Sequence, residues 1–285
     1  LQVQSRPVGL VLVEKGWMRQ NGCDWRKSLF IGVLAVATLL RLLVGAHCWA
    51  ARWPDERQSG PFYCHADFPL DPYLGLIDEL KQLQTDLVRT LAVEETREII
   101  HIYMFGSKVT YQRYMHRYFP HVPQRRALFI KGRGPGMVFA YRHQDLAEDL
   151  RHECTHALLH AHLSMVPLWL DEGLAEYFEV KPENRAHDNP HLATLKWNLR
   201  LGTMASIADL EQLSEVRDMD RTDYRHAWAW VHFLLHGSPD GHQELIRFLA
   251  DIRAQTPPGK LSQRLDANAA QIDRRMRNHF RTWRR

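Results

Sequence analysis

Apolar positions along this chain change period as it advances, and the changes outline its elements. Short apolar or alternating runs rich in β-branched and aromatic residues predict strands over 61–68, 99–105, 126–131 and 137–141. Gly132-Arg133-Gly134-Pro135-Gly136 marks a turn between the last two. Helical spacing predicts helices over 73–91 and 109–118. The run from Leu150 to Leu159 reads as a helix, and Leu170, Leu174, Tyr177 and Phe178 repeat at the spacing of a second one. Residues 181–190 are polar and predict a loop, with helices following near 192–200, 207–214, 222–236 and 241–254. Near the end, Ile272, Met276, Phe280 and Trp283 form an apolar stripe among Arg274, Arg275, Arg277, Arg281, Arg284 and Arg285. The pattern predicts an α+β fold: a mixed-sheet N-terminal lobe over 60–182 and a helical C-terminal lobe over 183–285.

The chemistry is concentrated where the pattern turns helical. His152-Glu153-Cys154-Thr155-His156 places two imidazoles one turn apart on one helix face, so both reach a single Zn²⁺. Glu153, beside the first His, is set to take a proton from water activated by that ion. Such a site needs a third protein ligand, and the following helix offers one in Glu172, within Trp169-Leu170-Asp171-Glu172-Gly173-Leu174-Ala175-Glu176-Tyr177-Phe178. Glu176, one turn on, is expected to accept the second ring N–H of a ligand His. Gly173 predicts a close approach between helices, since glycine otherwise costs a helix about 1 kcal/mol.

These two segments resemble the gluzincin branch of zinc metallopeptidases, in which a W-L-x-E-G-x-A-type helix carries the third ligand. The nearest likeness is to a small bacterial peptidase MA-like domain of unknown function. The resemblance covers residues 60–255 and is most specific at 150–180. It implies a zincin-like fold, zinc on His152, His156 and Glu172, Glu153 as general base, and a peptide or protein substrate; it does not say which. His162 stands where the metzincin pattern H-E-x-x-H-x-x-G-x-x-H has its third ligand, but Leu159 occupies the required glycine position. On a continuing helix His162 would lie about 9 Å further along the axis, so His160 and His162 read as helix-end residues. Gluzincins also donate a hydrogen bond to the oxyanion from a helix after the third ligand. Tyr224 stands at a comparable place with His226 as second choice, and His232 and His236 are further off. A strand ahead of the first helix pairs with extended substrate in such enzymes, and Met137–Tyr141 is either that strand or an internal one.

Composition changes this picture little. The 285 residues, 45% hydrophobic and 25% charged, suit an ordinary globular protein of one or two lobes. The net charge of +4 owes much to the terminal arginines. They read as the solvated face of a packed helix, and no platform or motif supports nucleic acid as a partner. Residues 1–51 read as a targeting segment: Arg19, Arg26 and Lys27 precede an apolar run over 29–46. That run serves either as a cleaved export signal or as a membrane tether, and the alternative is a buried helix; the protein's own start is expected at either Leu1 or Met18. Export would place the domain outside the cytosol, where a Cys64–Cys154 disulfide is permitted, although Cys154 reads as helix packing. Two function classes follow: a zinc peptidase, or a zinc-stabilised envelope binding protein that keeps the fold without turnover. Retention of Glu153, which ligates nothing, favours the first.

Overall fold

The computed structural model describes residues 11–12, 53–265 and 269–283, so the expected targeting run at 29–46 lies outside the described residues. Among the described residues no helix is long and apolar enough to cross a membrane. The protein is α+β, built on one mixed sheet. Its strands are β1 (Val11–Leu12), β2 (Asp55–Ser59), β3 (Phe62–Ala66), β4 (Ile100–Phe105), β5 (Ala127–Lys131) and β6 (Met137–Tyr141), in the order β1-β5-β6-β4-β3-β2. β2 and β3 form an antiparallel hairpin, β3, β4 and β6 run parallel, and β5 returns antiparallel to β6. The two residues of β1 lie parallel to the outer side of β5, with Val11 opposite Ile130.

Alternation along the strands divides the sheet into two faces. Cys64, Ile100, Ile102, Met104, Phe129, Val138 and Ala140 point to the main core. Phe105, Leu128, Ile130 and Phe139 point the other way, under Tyr111 and Met115 of α2 (Lys108–Tyr118). β5 and β6 are therefore apolar on both faces, as strands covered on both sides are. This decides between the two readings of Met137–Tyr141. Met137–Tyr141 lies between β4 and β5, so its backbone is engaged on both sides and cannot pair with substrate. Asp55–Ser59 gave no strand signal because it is polar, as a solvated edge strand can be.

On the main-core face lie α1 (Leu74–Leu91), α3 (Leu146–His160) and α4 (Leu168–Phe178). Both α3 and α4 are buried on nearly every side, which for helices carrying this many polar residues requires internal partners. After α4 come α5 (His191–Leu201), α6 (Ile207–Leu210), α7 (Arg221–His236), α8 (Pro239–Arg253), α9 (Leu261–Leu265) and α10 (Ala269–Thr282). Asp220 and Asp223 close a capping box at the start of α7. The core runs without interruption from Phe62 in the sheet to Phe280 in α10. Residues 181–190 are tied down by Arg185, which donates to Asp86 of α1 at 2.6 Å and to the Val180 carbonyl at 2.9 Å. Cys64 and Cys154 are both buried free thiols, so the permitted disulfide does not form.

Candidate metal centre

α3 and α4 meet with His152, His156 and Glu172 facing one another, all completely buried. The spacing seen in the sequence does what helix geometry requires, since positions i and i+4 share a face. Nε2 of His152 lies 3.5 Å from a Glu172 carboxylate oxygen, and Nε2 of His156 lies 3.6 Å from the same oxygen. Ligand atoms about 2.0–2.1 Å from a tetrahedral metal are about 3.4 Å apart, so both separations fit edges of such a polyhedron. Neither Nε2 atom, nor either oxygen of Glu172, has a hydrogen-bond partner. Buried polar atoms left unsatisfied are costly, and a cation held among them removes that cost. The donor set and its unpaired atoms therefore fit a metal ion.

The opposite ring nitrogens face carboxylates. Nδ1 of His152 is 2.8 Å from Glu179, and Nδ1 of His156 is 3.1 Å from Asp171, which His160 also approaches to 3.0 Å. The Glu179 contact is a hydrogen bond that keeps the His152 proton on Nδ1 and leaves that ring's Nε2 lone pair toward the centre. Glu176 is not the orienting carboxylate. It is taken by His191 of α5 at 2.7 Å, while Glu179 and Asp171 are the carboxylates that face the two rings. Both had a signal in the sequence: Asp171 adjoins Glu172, and Glu179 lies two turns along the same stripe. Arg151 secures this end of α4, donating to the Glu179 carbonyl and reaching Glu79 of α1 at 3.0 Å.

Electrostatics follow from this arrangement. Burial opposes charge on His152, but the Glu172 and Glu179 carboxylates on either side of the ring hold it well above the ordinary imidazole range. Burial likewise opposes charge on His156, and Asp171 and Glu172 outweigh it, raising the ring to about 10. Without metal, both rings carry protons that a dication would displace. Glu153 is not among the residues that could hold the ion, and its two oxygens are buried and without hydrogen-bond partners. Burial lifts its carboxyl to about 7 against the pull of His152 and His156. A proton acceptor poised near neutrality is thus placed beside the ligands without being one.

His162 lies apart, beside Leu158, Leu159 and Val93, outside both groups that could hold a metal among the described residues, His152 with His156 and Glu172 and His152 with Glu176 and Glu179. Gly173 lets α4 and α7 touch: a Cβ there would sit 2.7 Å from the Ala227 carbonyl oxygen. This contact brings Tyr224 toward the centre. Burial raises the Tyr224 hydroxyl far above the ordinary phenol range, the charge of Glu172 adds to the rise, and Arg125 works against it. His226 turns away, accepting the Ala205 N–H at 3.3 Å. His232 is held by the Ala186 carbonyl, and His236 by Tyr177. Arg125, just ahead of β5, carried no local signal in the sequence. It meets Tyr224 only through the tertiary fold.

No protein-family model matches the chain, and no curated protein matches it. The site has to be read from its own atoms.

Proposed function

We propose that this protein is a zinc-dependent peptidase of the zincin-like fold, with zinc on His152, His156 and Glu172. The observation that carries the reading is the triad of unpaired ligand atoms at tetrahedral-edge separations, beside a carboxylate that does not ligate. Zinc there would supply a Lewis acid that acidifies water and polarises a carbonyl. Glu153 takes the proton of the attacking water as the C–O bond forms, then delivers it to the nitrogen as the C–N bond breaks. Glu179 holds the His152 imidazole in one tautomer, and the Asp171 carboxylate faces Nδ1 of His156. Tyr224 donates toward the carbonyl oxygen as it gains charge.

The second reading is a metal-stabilised binding protein without turnover. It draws support from closure: His152, Glu153, His156 and Glu172 are all 0% exposed, so substrate can enter only if the surrounding elements part. One comparison separates the two. The purified protein should hold about one zinc per chain, and His156→Ala should lose it. Glu153→Gln should keep both zinc and fold while peptide hydrolysis falls by ~10²–10⁴. Equal hydrolysis by wild type and Glu153→Gln removes the peptidase mechanism. No cleavage by zinc-loaded wild type across a broad peptide library would favour the binding protein.

A further inference from the structure

A helix on the surface of a globular protein turns one apolar stripe inward and a polar face to water. α5 departs from this pattern. Its inner stripe, Leu192, Leu195 and Leu199, packs on the core. A second stripe, Ala193, Trp197 and Leu201, runs at four-residue spacing along the opposite side and faces solvent. Trp197 is 60% exposed and Leu201 is 72% exposed. The helix is fastened at both ends, which holds the outer stripe in place. His191 meets Glu176 of α4 at 2.7 Å, and Arg225 of α7 donates to Asn198 at 3.3 Å.

Charge along this stripe has one sign. Lys196 and Arg200, one turn apart, follow one border of it, and α5 contains no Asp or Glu. The Arg200 guanidinium lies 5.1 Å from the centre of the Trp197 ring. α10, which packs against α5, exposes Arg274 and Arg281 as well. Asp209, the first acid after α5 in the chain, is bound to the Ser206 backbone and hydroxyl as part of a helix cap. A second copy of this chain does not suit such a face, because two α5 helices would set Lys196 and Arg200 against their own kind. An anionic lipid surface does suit it. Indole rests at the boundary between headgroups and acyl chains, leucine enters the chains, and Lys and Arg stay with the phosphates.

We infer that α5 is a lipid-docking helix: Trp197 and Leu201 enter the interface of an anionic bilayer while Lys196 and Arg200 hold its phosphates. The 11 residues span about 16 Å and lie in the plane of the surface when docked. Contact of this size is weak and reversible, on the scale of a single lipid anchor. The inference goes beyond the peptidase reading and needs neither metal nor turnover.

The test uses the full chain as wild type, Trp197→Ser, Leu201→Ser and the double variant Lys196→Gln/Arg200→Gln. Circular dichroism and melting are measured on each, and both should be unchanged because the stripe faces outward. Probes are vesicles of phosphatidylglycerol with phosphatidylcholine in equal parts, vesicles of phosphatidylcholine alone, and the anionic mixture with brominated acyl chains, which quench indole at the interface. Any binding through residues 29–46 is common to all the proteins, so the differences between them carry the result. Trp197→Ser and Leu201→Ser should each weaken affinity for the anionic vesicles about tenfold. The double Gln variant should lose about fivefold for each charge removed, and high salt should do the same to wild type. Quenching by brominated chains should fall in Leu201→Ser, in which Trp197 is still present. Wild-type affinity and quenching in the folded variants would overturn the inference, as would equally large losses on phosphatidylcholine alone, since the cations would then have no part. A wild-type dimer in sedimentation that the serine variants abolish, with vesicle affinity unchanged, would give the stripe to a second copy and overturn it too.

Discussion

Glu153 shows how much one buried carboxyl can store. It is fully buried, its oxygens have no hydrogen-bond partner, and burial raises it to about 7 from an ordinary 4.5. The folded protein therefore binds this proton more tightly than the unfolded chain does. Stability from the group is complete below pH 4.5 and is lost as pH rises through 7. In chelator-stripped protein, Glu153→Gln should be more stable than wild type at pH 8 by on the order of 3 kcal/mol. At pH 4 the difference should vanish, because wild type is then neutral at this position too. Urea unfolding at the two pH values reads it directly, and equal stabilities at pH 8 would show that Glu153 does not ionise at a cost. An enzyme would accept such a cost because a base held near neutrality can both take and return a proton.

The elements show which parts of the site sequence could disclose. α3 and α4 were legible because helical spacing alone puts His152 with His156 and makes Glu172 available. The oriented tautomers were legible in kind but not in detail. Glu176 and Glu179 share one stripe, and only the docking of α5, which brings His191 to Glu176, decides between them. Met137–Tyr141 needed the strand order, which no local pattern carries. Arg125 needed both lobes at once. Gly173 was legible because a glycine inside a helix needs a reason, and α7 is that reason. Gly173→Ala should drive a methyl into the Ala227 carbonyl and Val231, forcing α4 and α7 apart. The expected loss is about 1–3 kcal/mol of stability in a denaturant melt, with weaker zinc retention because Glu172 is the next residue. A Gly173→Ala protein with unchanged midpoint and unchanged zinc affinity would show that α7 does not set the ligand helix in place.

Across the whole molecule, the uninterrupted core ties the candidate metal centre to distant packing. α10 closes the far side of α7 through an imidazole cluster. His232 donates to the Ala186 carbonyl, which Trp283 also reaches at 2.8 Å, so the other His232 nitrogen accepts from His279 at 3.1 Å. His236 meets Tyr177 of α4 at 2.9 Å, linking the cluster to the ligand helix. This chain of hydrogen bonds requires neutral rings. Burial, with neighbouring imidazoles adding to it, lowers His232 to about 3 and His236 and His279 to about 4. Unfolded, each takes a proton near 6.5, so the stability they contribute is complete above that pH and is lost as pH falls toward the folded values. His236 and His279 are half-exposed, so solvent screening reduces their share, and the three together should cost on the order of 3 kcal/mol at pH 5. His279→Leu removes one of the three titrations while keeping an apolar filler against Phe233 and Phe280. It should be less stable than wild type at pH 7.5, where it loses the His232 contact, yet fall less steeply between pH 7.5 and 5. Urea midpoints of both proteins, measured with zinc in excess, give the two slopes. Identical slopes would mean that the imidazole cluster packs α10 without making the fold sensitive to acid.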